Sequence, residues 1–155
     1  MVARRRRSTR PSACSSPRPH EYIFFVDRSL GKIEFPRRLR EAGLDVRVHD
    51  KVFSPDAADV EWIRETGVRG WVAFAADEAI VRRDIEFRAV VDSGARILVP
   101  GLRKRPSRER ADLIVLALPA VFRFLSRNPP PWVAKVLPGR KATHRPRIGK
   151  TRRFK

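Results

Sequence analysis

Cysteine is nearly absent. Cys14 is the one thiol among 155 residues, so no disulfide can close within the chain. Histidine is scarce too: His20, His49 and His144 are scattered with no i,i+4 pair, which leaves no zinc-ligand pattern. Long apolar runs are also missing. The longest, Leu113 to Leu118, extends at most to Leu125 across Pro119, well short of the roughly 20 apolar residues that a bilayer-spanning helix needs. Arg4 to Arg7 have no apolar segment behind them, which reads against a secretory signal. A reducing, cytoplasmic setting without a membrane is the expectation.

What is abundant is positive charge, and it is unevenly placed. The net charge is +18. Residues 1–20 carry +6 with no acid, residues 21–100 carry −2, and residues 101–155 carry +14. A mildly acidic body thus lies between two basic flanks. Its hydrophobic share of 42% is ordinary for a globular chain, and the length suits one domain. Residues 1–20 mix Arg, Ser and Pro without periodicity and read as a disordered basic arm.

From Glu21 the texture changes. Tyr22 to Val26 make an uninterrupted apolar run of strand length that stops at Asp27. A helix is expected from about Pro36 to the stop at Gly43, then an alternating strand over 44–49. Ser54-Pro55-Asp56 reads as the opening of a second helix closed by Gly67. Trp71 to Ala76 form another buried run ending at an acid, Asp77. Residues 78–92 read as one helix, and Arg96 to Val99 as a further strand. Strands alternating with helices predict an α/β sandwich around a mainly parallel sheet, with 22–26 and 71–76 central. Residues 102–137 are expected to add a helix over 107–127, with Leu113, Leu116, Ala117, Ala120 and Phe124 on one side, Pro119 as a kink, and a strand or strap over 132–136. From Pro138 the chain reads as a basic mobile tail.

Asp27 and Asp77 each sit where a buried strand leaves the sheet. Ligands of open α/β sheets bind outside the carboxyl ends of the strands. Two carboxylates delivered there repel one another unless a cation lies between them, and a hard divalent ion is the simplest neutraliser. Either acid alone reads better as a helix cap or turn residue, and it is the two together that raise the site reading. Asp59 stands in the first turn of its helix, where it favours the dipole and can close a capping box with Asp56. Asp84 falls on a stripe with Ile80, Phe87 and Val91, at its rim or turned toward a site.

The run Phe25-Val26-Asp27-Arg28-Ser29-Leu30-Gly31 is followed by Asp59-x-x-Trp62-Ile63 and Gly67-x-x-Gly70-Trp71-Val72. With Asp77, Ile80 and Arg82-Arg83, this series resembles the PIN-like domain of VapC-type ribonuclease toxins. The likeness extends from about Tyr22 to Val99 (the PIN-like unit being 21–101), and the 107–127 helix and Pro-Pro-Pro-Trp strap look like that family's C-terminal extension. The resemblance implies a three-layer α/β/α sandwich and Mg²⁺- or Mn²⁺-dependent cleavage of RNA. It implies Asp27, Asp59 and Asp77 as the catalytic, metal-binding acids, with Asp84 or Glu86 as a fourth member. One departure stands out: the family usually has Thr and Lys just before its third acid, and this chain has Ala75 and Ala76. That substitution keeps a second reading open, a non-catalytic RNA-binding or regulatory module on the same fold.

An acidic cleft repels RNA, so basic groups must hold the substrate at its rim. Arg28, Arg82 and Arg83 lie beside the strand-end acids, and guanidinium groups clamp phosphate in a bidentate way. The basic tail reads as an arm for RNA or for an acidic protein. The resemblance supplies an antitoxin as that protein and pairing of like chains as a further expectation.

Overall fold

The structure is a computed structural model that describes residues 21–140 and 145–150. Its elements are β1 (Ile23–Val26), α1 (Glu34–Glu41), β2 (Asp45–Val48), α2 (His49–Val52), α3 (Asp59–Arg69), β3 (Val72–Phe74), α4 (Asp84–Ser93), β4 (Arg96–Pro100), α5 (Ser107–Arg127), β5 (Trp132–Leu137) and β6 (Arg147–Lys150). They form one six-stranded sheet in the order β2-β1-β3-β4-β5-β6. The first five strands are parallel, and β6 runs antiparallel against β5.

Alternation along each strand sorts the core into two layers. Phe24 and Val26 on β1, Phe74 on β3 and Leu98 on β4 face one side, where α1 and α5 bring Leu39, Ala117 and Val121. Phe25, Ala73 and Ile97 face the other, where α3 and α4 bring Trp62, Ile63, Ala89 and Val90. The result is a three-layer α/β/α sandwich, as the sequence leads one to expect. Phe24 stacks on Phe74 with ring centres 5.7 Å apart, and Phe25 on Trp62 at 5.6 Å, so aromatic pairs grip the two central strands from both faces.

Several expected boundaries move, each for a visible reason. The helix expected from Ser54 starts at Asp59. Asp56 accepts from the Ser54 hydroxyl within the preceding turn, and Ala58, which has no capping side chain, takes the N-cap position. No capping box joins Asp56 and Asp59. Gly67 does not close this helix; Gly70 does, in the left-handed conformation at φ 71°. The expected single helix over 78–92 is two pieces, a 3-10 turn Glu78–Arg82 and α4, separated by the extended backbone of Arg83 (φ −97°, ψ 117°). That break resets the helical phase, so α4 buries Glu86, Ala89 and Val90, while Asp84 is exposed and Val91 is 40% exposed.

On α5 the buried face is Arg110, Ala111, Leu113, Ile114, Ala117, Val121 and Leu125, a 3.6-residue stripe. Leu116 points away from it at 70% exposure. Pro119 lies inside the helix, which continues to Arg127. The tail departs most from expectation: Arg147–Lys150 is a strand whose Ile148 pairs with Val136, closing the sheet edge that β5 presents. The arm over 1–20 lies outside the described residues. Among the described residues, no helix is long and apolar enough to cross a membrane.

Candidate active site

In the order β2-β1-β3, the chain leaves β1 to one side for β2 and returns to its other side for β3. The strand order therefore reverses between β1 and β3, and a crevice opens at their carboxyl ends. Asp27 and Asp77 leave from those two strands. A cleft of about 310 Å³ lies there, and Asp27, Asp59 and Asp77 all line it, together with Ala75, Ala76 and Arg83.

Each acid is held by local hydrogen bonds. Asp27 is 6% exposed. Its backbone N–H donates to Phe74 across the sheet at 3.0 Å, and its Oδ2 accepts from the amide of Ser29 at 3.2 Å and from the Ser29 hydroxyl. The same hydroxyl accepts from the backbone N–H of Ala76 at 3.2 Å. Ser29 therefore ties the end of β1 to the segment after β3. The other oxygen, Asp27 Oδ1, is buried and has no hydrogen-bond partner. A carboxylate oxygen can only accept, so that atom suits a cation.

Asp59, at the first turn of α3, accepts from Trp62 Nε1 at 3.2 Å and lies 3.8 Å from Arg83 Nη1. Asp77 accepts from the amide of Ala79 at 3.2 Å and pairs with Arg103 Nη2 at 3.1 Å. The all-oxygen donor set fits Mg²⁺ or Mn²⁺ in kind. Among the described residues, however, no three acidic, His or Cys side chains gather closely enough to hold a metal ion. The acids share a hollow, and guanidinium groups rest on two of them.

The basic residues divide. Arg83 lines the cleft, bonds Glu86 at 2.9 Å and is held firmly protonated, first by that hydrogen bond and then by the charges of Glu86, Asp59 and Asp77. Arg28 also lines the cleft, but its guanidinium donates to the carbonyls of Pro55 and Ala57, which anchors the loop leading into Asp59. Arg82 is exposed and does not line the cleft. Asp84 and Glu86 do not line it either; they border a neighbouring cavity on the far side of Asp59 and Arg83.

Three residues at the site escape a reading of the chain. Ser29 carries no base nearby in sequence, so its bridging role has no linear signal. Arg103 comes from the loop after β4 and meets Asp77 only in three dimensions. Arg110, on α5, is 6% exposed and donates to the carbonyls of Ala76, Pro100 and Gly101 at 2.7, 2.7 and 3.2 Å. Burial pushes its guanidinium below the ordinary pKa, with Asp77 opposing and Arg103 adding to the push. A signal did exist for Arg110: an arginine on the same helical stripe as Leu113, Ile114 and Ala117.

A family model described as "PIN like domain" matches residues 23–100. Among curated proteins, the chain is similar to "Putative ribonuclease VapC45" of Mycobacterium tuberculosis. The two are 33% identical over 120 residues, which cover 75% of this chain and 86% of that protein. No solved structure matches the chain.

Proposed function

The chain belongs to the PIN-like domains of the VapC type, and from that premise we propose that it is a metal-dependent endoribonuclease, the toxin of a toxin–antitoxin pair. The observation that carries this reading is the meeting of Asp27, Asp59 and Asp77 on one cleft at the switch point of the sheet. Three acids drawn from β1, α3 and the segment after β3 have no structural need to meet. Guanidinium groups meet Asp59 and Asp77, and the partnerless Oδ1 of Asp27 is the atom left to attract a cation.

Asp27 and Asp77 would hold the ion, with Asp59 completing the acidic set. Bound Mg²⁺ or Mn²⁺ supplies Lewis acidity toward the phosphate and makes an attacking water more acidic. The protein's own groups do the positioning. Ser29 fixes the rotamer of Asp27 through Oδ2 and leaves Oδ1 open. Arg28 sets the loop that presents Asp59. Arg83 and Arg103, 61% and 77% exposed at their side chains, are free to exchange a carboxylate for a phosphate oxygen as RNA enters. Arg103 thereby brings to Asp77 the positive charge that Ala76 does not. The antitoxin is an acidic protein segment able to cover the basic surface.

The test is cleavage of RNA with Mg²⁺ or Mn²⁺, with and without chelator, by the wild type and Asp27→Asn. Metal-dependent cleavage that drops at least a hundredfold in the variant supports the reading. Ala75 and Ala76 line the cleft where the family places a hydroxyl and an ammonium, and this favours a second reading, an RNA-binding module without catalysis. RNA binding with no cleavage under any divalent ion would decide for that one.

A further inference from the structure

Beside the acidic cleft lies a second cavity of about 490 Å³ that shares Asp59 and Arg83 with it. Its other walls include Ala58 and Val60 from the start of α3 and Ile85 and Glu86 from the start of α4. Ile85 is 69% exposed, an apolar side chain left in water at the mouth. Glu86 is the reverse, a carboxylate at 9% exposure. One of its oxygens, Oε1, accepts from Arg83, while Oε2 is buried with no hydrogen-bond partner. A charged oxygen removed from water without a donor is costly, and a ligand that brings N–H groups relieves the cost.

The geometry points to this cavity as a nucleobase subsite for guanine next to the scissile phosphate, with Glu86 reading the base. The inference rests on the ribonuclease reading for its phosphate but not for its chemistry. Among the four RNA bases, guanine alone presents two adjacent N–H donors, N1–H and the exocyclic amine, on its Watson–Crick edge. Two carboxylate oxygens accept that pair side by side. Uracil offers one N–H between two carbonyls, and in adenine and cytosine a ring-nitrogen acceptor sits beside the amine, so each sets a lone pair against the carboxylate. Val60 and Ile85 supply apolar walls for the ring. Arg83 also links the two cavities. In the free protein it covers Glu86; on moving to the phosphate it uncovers the acceptor for the base.

Titration of the full chain with the four nucleoside 5′-monophosphates in chelator, followed by NMR, tests this without any cleavage step. The wild type should bind GMP about tenfold more tightly than UMP. Glu86→Gln should weaken GMP to the level of UMP while UMP changes less than twofold. Ile85→Ser, on an exposed side chain, should weaken all four alike and keep their order. Equal binding of the four by the wild type overturns the proposal, and that result stands whether or not Glu86→Gln folds. A guanine preference that survives Glu86→Gln overturns it as well. Cleavage assays separate the two readings. Nucleotide ranking without RNA cleavage keeps the subsite and rejects the nuclease, whereas cleavage with no guanine beside the cut bond keeps the nuclease and rejects the subsite.

Discussion

A single side chain, Arg110, fastens the floor of the cleft. It reaches from α5 to the carbonyls of Ala76, Pro100 and Gly101, so it locks the exits of β3 and β4 to one helix. Ala76 lies just beyond β3, Pro100 is the last residue of β4 and Gly101 follows it. Replacing Arg110 with Met keeps much of the buried stem and removes every donor. The expected loss is about 2–4 kcal/mol, read as a lower denaturant midpoint with an unchanged slope. Lysine offers one compact ammonium where a planar fork is needed and should recover only part of it. Ser29 works on a smaller scale. Ser29→Ala removes the link between Asp27 and Ala76, for about 1 kcal/mol of stability. RNA cleavage should nonetheless fall about tenfold or more, since the Asp27 carboxylate loses a bond that orients it. Cleavage that is unaffected would show Ser29 to be structural only.

At the scale of elements, α3 and α4 approach each other closely at Gly67. A Cβ built on Gly67 would lie 2.2 Å from the Ser93 hydroxyl and 2.6 Å from its Cβ. Gly67→Ala, ordinarily favourable within a helix, should here destabilise by about 1–3 kcal/mol. A thermal melt of Gly67→Ala beside Gly67→Ala/Ser93→Gly would show whether relieving the contact restores stability. This also explains why Gly67 misled as a helix stop: one glycine serves packing and the next, Gly70, serves the turn, and local sequence carries no sign of which is which. The central strands were legible because a run such as Phe24-Phe25-Val26 can only be covered on both faces. The α5 stripe was partly legible, and Leu116 was misplaced because the run 113–118 is apolar on every side. Asp84 is exposed for a different reason. Its stripe assumed an unbroken helix, and the extended Arg83 breaks it. Of the site, the acids at strand ends could be read from the chain, whereas Arg103 and Arg110 arrive from a later loop and helix that no spacing connects to Asp77.

Over the whole molecule, the positive charge at the carboxyl end has a structural address. Arg147 and Lys150 stand on β6, on the sheet's outer edge, so this part of the tail is paired rather than loose. Deleting residues 138–155 would strip β5 of its neighbour and confuse charge with folding. Replacing Arg147 and Lys150 together with Gln leaves the backbone ladder in place. If both touch RNA phosphates, the slope of log affinity against log salt should become shallower by about 1.4, at roughly 0.7 per contact for a single strand. An unchanged slope would remove β6 from the RNA surface.

The three acids of the cleft all precede β4 along the chain, whereas the guanidinium groups that brace it from the far end follow β4. Asp77 follows the third strand, Arg103 the fourth, and the anchoring Arg110 lies on the fifth helix. A chain cut short before β4 would carry every acid of the cleft and Arg83, but neither Arg103 beside Asp77 nor the Arg110 clasp across the strand exits.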